Sequence, residues 1–293
     1  MRVSEDCFTK GRTSAILRLL DDESEVVRRS VRKELIRSPK AAEALLRKAA
    51  DGADESLALT ARSLLEHLGW ADGVKPFLAF IRSLKYELET GWLLLDRVAH
   101  PTLDVSGTLA FLDQLAERCG ELLIPPHSAR ERCMIMNRVI FHEYGFQGAL
   151  KDAVDPANSF LHKVVERRRG LPITLSVLYL LVARRMDFEL EPIGLPGRFM
   201  VGCFADERPF YVDVWSGGSL REPGELNAFL KLEKVSPEEC SGALLPVTVS
   251  ETLVRACRNL FYQYYGAGEQ EKAELYLSFI REFRDVLRRE ANA

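Results

Sequence analysis

Hydrophobic positions recur at helical intervals from Thr13 to about Leu68: Ile16, Leu19 and Leu20, then Val27, Val31 and Leu35, then Leu57, Ala61, Leu64, Leu65 and Leu68. That period puts the apolar side chains on one stripe of an α-helix, so the segment predicts a run of amphipathic helices. Helical spacing continues through Val74 to Glu89, Gly91 to Ala99 and Leu109 to Cys119, breaks at Pro125 and Pro126, and resumes from Arg130 to Tyr144 ahead of Gly145 and Gly148. Between Asp155 and Leu220 the pattern changes character repeatedly, from helix to glycine turn to helix and then to strands. The strand candidates are Glu191 to Ile193, Phe199 to Phe204 and Phe210 to Val214, with Asp206 and Glu207 as the turn between the last two. A small antiparallel sheet following a buried helix is the expectation. The chain closes on two helices, Val249 to about Arg288, around a turn at Gly266 to Gly268.

Two flanking patterns resemble helical repeats. The piece Leu19 to Leu35, LLDDESEVVRRSVRKEL, resembles one HEAT-type repeat, in which Asp caps the second helix. Solenoids need about three repeats to bury a continuous core, so an ordinary helical subdomain fits the same pattern. The tail, with Ala256, Leu260 and Tyr264 on one helix and Ala273, Tyr276, Leu277 and Ile280 on the next, resembles a tetratricopeptide hairpin acting as a packing element. The expected organisation is a helical HEAT-like segment over 1–70, a core over 71–247 and a hairpin over 248–293.

Composition narrows the function classes. The 293 residues are 47% hydrophobic and 28% charged, ordinary globular usage with enough apolar material for a sizeable core. Lys plus Arg number 40 against 43 Asp plus Glu, a net charge of -3 that offers no global field for a phosphate backbone. The six cysteines lie far apart without a C-x-x-C pair and read as reduced thiols. The polar start MRVSEDCFTK lacks a signal-peptide pattern, and the longest apolar run, Leu171 to Ala183, is interrupted by Pro172, Thr174 and Ser176 and falls short of the roughly 20 residues of a membrane span. The expectation is a cytoplasmic protein with neither nucleic acid nor membrane as partner. His67, His100, His127, His142 and His162 show no metal-ligand spacing, so neither a metal nor a cofactor is expected.

The chemistry concentrates in four segments: Phe141 to Gly148 (FHEYGFQG), Asp155 to Ser176 (DPANSFLHKVVERRRGLPITLS), Gly194 to Cys203 (GLPGRFMVGC) and Tyr211 to Leu220 (YVDVWSGGSL). Their order and wording resemble the SirB-type transglutaminase-like family, bacterial proteins with a degenerate transglutaminase core and a tetratricopeptide-like tail. The resemblance covers roughly Glu89 to Phe283. It implies an α+β, mostly helical fold around a transglutaminase-like (papain-like) core. In such a core a Cys sits at the N-terminus of the central helix, with His and Asp on adjacent strands. The helix end favours the thiolate, His carries the proton and Asp orients the imidazole. Carried onto this sequence, the nucleophile position is Pro172, a replacement that the resemblance implies for the whole family. The base position, a His in the family's Pro-Gly-His-Phe, is Arg198 here. Asp213 alone remains of the three.

Proline has no nucleophile, and an arginine stays protonated, offering donors but no proton-accepting nitrogen. Arg198 and Asp213 on neighbouring strands predict an ion pair, structural if dry or anion-reading if Arg198 keeps donors facing a cleft. Candidate cleft residues around it are Asn158, Arg167, Gly170, Thr174, Ser176 and Cys203. Each also has a bland reading. Pro172 suits a first helical turn, Asn158 and Ser159 suit an N-cap for the helix running to Arg169, Arg167 to Arg169 suit a helix C-terminus, and a strand cysteine such as Cys203 is usually a small buried hydrophobe. The expected function is a noncatalytic binding or regulatory scaffold with a protein partner. Two alternatives stay open: a hydrolase or acyltransferase with a remodelled site using Thr174 or Ser176, and a helical adaptor working through its N-terminal array.

Overall fold

A computed structural model describes residues 10–291 apart from positions 21, 38, 51, 53, 151, 152, 207 and 233–241. Of the six cysteines, Cys7 and Cys240 lie outside the described residues, as do Glu207 of the expected turn and the side chains of His67 and Leu68. The chain divides into two compact units, residues 1–77 with 97–103 and residues 78–96 with 104–293.

The first unit is helical among its described residues: α1 (Lys10–Leu20), α2 (Glu25–Arg37), α3 (Pro39–Ala50) and most of α4 (Glu55–Ser83). Ile16, Leu20, Val31, Leu35, Ala61 and Leu64 from the apolar stripe form its core, joined by Leu45 and Leu46. Leu19, on the same run, is 39% exposed. Pro76 does not end α4. The helix stops instead at Ser83, where Leu84 takes a positive φ of 57° and the Ser83 hydroxyl donates to the Phe80 carbonyl. The expected single helix from Val74 to Glu89 is therefore cut in two. α5 (Leu88–Ala99) starts three residues earlier than Gly91, because the Glu87 carboxylate accepts the N–H groups of Glu89 and Thr90.

The second unit holds α6 (Ser106–Leu122), α7 (Ala129–Asn137), α8 (Leu161–Arg167) and α9 (Pro172–Arg185). Ser128 and Glu131 form a reciprocal capping box on α7, and a π-helical turn, Arg138–Glu143, continues it. α9 is buried without interruption from Ile173 to Ala183, as an all-round apolar sequence requires. It packs on a four-stranded antiparallel meander: β3 (Glu191–Ile193), β4 (Met200–Cys203), β5 (Phe210–Asp213) and β6 (Ser219–Arg221). The first three strands occupy the expected segments, whereas β6 has only three residues and little apolar character to announce it. A two-residue parallel pair, β1 (Gln147–Gly148) with β2 (Arg169–Gly170), ties the loop before α9 to the loop after α7. α10 (Pro223–Leu232) follows the sheet. The tail forms α11 (Val249–Gly266) and α12 (Gln270–Ala291), packed face to face with the Tyr264 and Tyr276 rings stacked at 5.5 Å. Among the described residues no helix is long and apolar enough to cross a membrane.

Candidate functional site

The start of α9 is set by its own sequence. Leu171 is the N-cap in extended conformation, its N–H donating to the Asn158 carbonyl at 3.0 Å, and Pro172 takes the first helical position, where a missing N–H costs nothing. Across from it, Pro196-Gly197 makes a turn in which Gly197 adopts φ +69°, a left-handed conformation suited to glycine. That turn delivers Arg198 to the beginning of the sheet. Arg198 Nη1 donates to Asp213 Oδ2 at 3.0 Å, so the expected ion pair is present, with Arg198 two residues ahead of β4 and Asp213 at the end of β5. Asp213 is fully buried and also accepts from the Ser216 hydroxyl at 2.9 Å and the Ser216 N–H at 3.3 Å. The Arg198 side chain is 30% exposed and lies 5.2 Å from the centre of the Phe229 ring. Asp213 is thus sealed behind Arg198, and only the cation faces outward.

Outward lies a cleft of about 410 Å³, lined among others by Pro172, Gly197, Arg198, Arg255, Asn259 and Tyr262. Pro172 and Arg198, the two positions that the sequence resemblance assigned to the triad, therefore line one open cavity. Its far wall is α11, which starts on a capping box between Thr248 and Glu251 and is pinned by Gln263, whose amide nitrogen donates to the carbonyls of Ala153 and Asp155 and whose oxygen accepts from Ser159. Arg255 is half-buried there. Its Nη2 donates to the Leu195 carbonyl at 2.7 Å and the Arg198 carbonyl at 2.9 Å, so it braces the turn that carries Arg198. Burial pulls the Arg255 guanidinium below its usual range, and the neighbouring Arg258 charge adds to the effect.

The other candidates sit elsewhere. Arg167 Nη1 donates to Asp155 Oδ2 at 2.6 Å. Asn158 is buried in a 3-10 turn, Pro156–Ser159, and Gly170 belongs to β2, where an added Cβ would press on Val164. Thr174 and Ser176 are fully buried within α9, and Cys203 is fully buried in β4 with its thiol pushed up by desolvation. None of these six lines the cleft. The capping role read onto Asn158 and Ser159 is corrected: the N-cap of α8 is Phe160, and the donors at its start go to a distant carboxylate. Asp96 accepts from Leu161 N at 3.0 Å, His162 N at 2.8 Å and His162 Nδ1 at 2.8 Å. α8 also ends at Arg167, not Arg169, because Arg168 turns left-handed at φ 57°.

Sequence reasoning missed Arg255 and Asp96. Arg255 had a signal, since Thr252, Arg255, Asn259 and Tyr262 form a polar line at 3–4 spacing along an otherwise packed helix. Asp96 had none, because its partners lie 65 and 66 residues away. Among the described residues, no group of three or more His, Cys, Asp or Glu side chains is placed to hold a metal ion.

Residues 107–258, more than half of the chain, match the transglutaminase-like superfamily. The chain belongs to the transglutaminase-like superfamily. It is 31% identical over 189 residues to a UPF0162 protein of Xylella fastidiosa, covering 62% of this chain and 66% of that one. A UPF0162 protein of Vibrio cholerae is 27% identical over 132 residues, 45% of this chain and 49% of its own. Human F-box only protein 21 is 38% identical over 160 residues, 52% of this chain and 24% of its own. The transglutaminase-like chain thus spans just under two thirds of the Xylella relative and less of the other two. No solved structure matches it.

Proposed function

We propose that this transglutaminase-like protein is a noncatalytic binding or regulatory scaffold of the SirB type, with the triad's place turned into a ligand cleft. The observation that carries the reading is that Pro172 and Arg198 line one open cavity while Asp213 is sealed behind Arg198. A thiol-free helix start cannot attack an acyl group, and a guanidinium tied to a carboxylate cannot take up a proton. Fold alone would argue for acyl transfer, but function belongs to the site. The hydroxyls that a remodelled hydrolase or acyltransferase would draw on, Thr174 and Ser176, are fully buried, which favours the scaffold over that alternative.

On this reading the helices of 1–70 act as a HEAT-like flank and the hairpin of 248–293 as a tetratricopeptide-like one. The partner is a protein, the compartment is the cytoplasm, and neither nucleic acid nor membrane is engaged. The test is incorporation of a fluorescent alkyl amine into a glutamine-containing peptide, with ammonia release measured in parallel. Both are expected to stay at the uncatalysed background. Turnover above that background would overturn the reading.

A further inference from the structure

The lost triad accounts for Pro172, Arg198 and Asp213 but not for Arg255. Arg198 is charge-balanced by Asp213 at 3.0 Å. Among the described residues Arg255 forms no ion pair and no acidic side chain lines the cleft, and the one charge that acts on its guanidinium is another cation, Arg258. A guanidinium carries five N–H donors, and two of those of Arg255 are spent on the Leu195 and Arg198 carbonyls. The remaining donors belong to a half-buried cation on the wall of an open cavity of about 410 Å³, within the ordinary range of ligand sites. Asn259 and Tyr262, one and two turns further along α11, line the same wall and add neutral donors.

We propose that this cleft binds an acidic side chain of a peptide, with the carboxylate meeting Arg255. The proposal rests on the reading of the cleft as a binding site and names its ligand. Charge arithmetic selects the ligand: Arg198, Asp213 and Arg255 leave a single uncompensated positive charge, which suits a carboxylate better than a phosphate dianion. The mouth selects a peptide over a free anion. Tyr262, on the cleft wall, is 63% exposed, and Phe261 on the same helix contacts the rings of Tyr262 at 5.1 Å and Tyr265 at 5.8 Å, so an aromatic strip runs on from the cleft residue Tyr262 and offers a surface for extended main chain.

The experiment selects the full chain against a randomised decapeptide phage library, then measures binding of the enriched peptide and of its counterpart with the acid replaced by the amide. Enrichment of Glu or Asp at one position, and at least about tenfold weaker binding of the amide peptide, are expected. Arg255→Gln should erase the acid preference. Because Arg255 also braces a turn, Asn259→Asp serves as a second variant: it places a carboxylate on the cleft wall without touching that brace and should weaken the acidic peptide by a similar factor. Enrichment without an acidic position, equal binding of acid and amide peptides, or a preference untouched by Asn259→Asp would overturn the proposal. Inorganic phosphate that displaces the peptide at micromolar concentration would assign the site to free phosphate instead. Loss of acid selection without amine incorporation removes this ligand and leaves the noncatalytic reading intact. Amine incorporation removes that reading whatever the peptides do.

Discussion

Asp96 and Asp213 are both fully buried in the larger unit, and each is held by one basic side chain, yet they do different work. Asp96 is fully buried and held by three donors: two N–H groups at the start of α8 and Nδ1 of His162, whose side chain is only 9% exposed. Its carboxyl is pushed up by burial, against which the three donors pull. Asp213 is held by Ser216 and by a guanidinium that still faces a cleft. The molecule therefore does contain a His–Asp pair, but it is spent on fastening a helix end and does not line the cleft. At Arg198, the position that the sequence resemblance assigned to the triad's imidazole, there is a cation that can only donate. A catalytic pair is defined by its access to substrate, and here the histidine and the access have been separated.

The largest effect expected from this contrast is on Asp96. Asp96→Ala strands three buried donors at once and should lower the unfolding free energy by about 3–5 kcal/mol, read from urea unfolding followed by tryptophan fluorescence. Asp96→Asn, which keeps an acceptor for the backbone, should recover part of that loss. Arg198→Ala should cost less, about 2 kcal/mol, because Ser216 still holds Asp213 and water can enter where the guanidinium stood. If Arg198→Ala proves the more damaging of the two, the Arg198–Asp213 pair is structural cement and the contrast fails.

The difference between the two carboxylates also explains what the chain reveals before it is folded. Arg198 and Asp213 were legible because each sits in a short motif that the family resemblance places beside neighbouring strands, and β4 and β5 do pair. The burial of α9 was legible from its all-round apolar pattern. Asp96 was illegible because helix capping was sought in neighbouring residues, where Asn158 and Ser159 were plausible by type. Geometry gave the role to a side chain on α5. The break at Ser83 hid for a related reason: a hydrophobic period says where a helix face continues, but the left-handed Leu84 that ends α4 leaves no mark in it. The cleft's far wall was half legible. The polar line through Arg255 was present in the sequence, but nothing there says which core surface α11 faces.

The smallest effect expected, and the one that separates lost residues from a lost site, comes from restoring the chemistry. Pro172→Cys combined with Arg198→His puts a thiol at the start of α9 and an imidazole where the guanidinium now donates to Asp213. The cleft is already favourable to a thiolate, since Arg255 lines it without a carboxylate partner among the described residues. The new thiol should titrate about one unit below its ~8.5 reference and react with iodoacetamide at pH 7 about tenfold faster than a free thiol. The native thiols set a slow baseline: burial pushes Cys119 and Cys133 up to about 12 and raises Cys257 as well. Each unit upward removes about tenfold of thiolate at neutral pH, so these three should stay unmodified in the folded protein when alkylated peptides are mapped by mass spectrometry. Replacing proline also frees the backbone at the first position of α9, which loosens the thiol and keeps the expected gain modest. A folded double variant whose new thiol titrates at the reference value would mean that the cleft no longer supports a thiolate even with both residues returned.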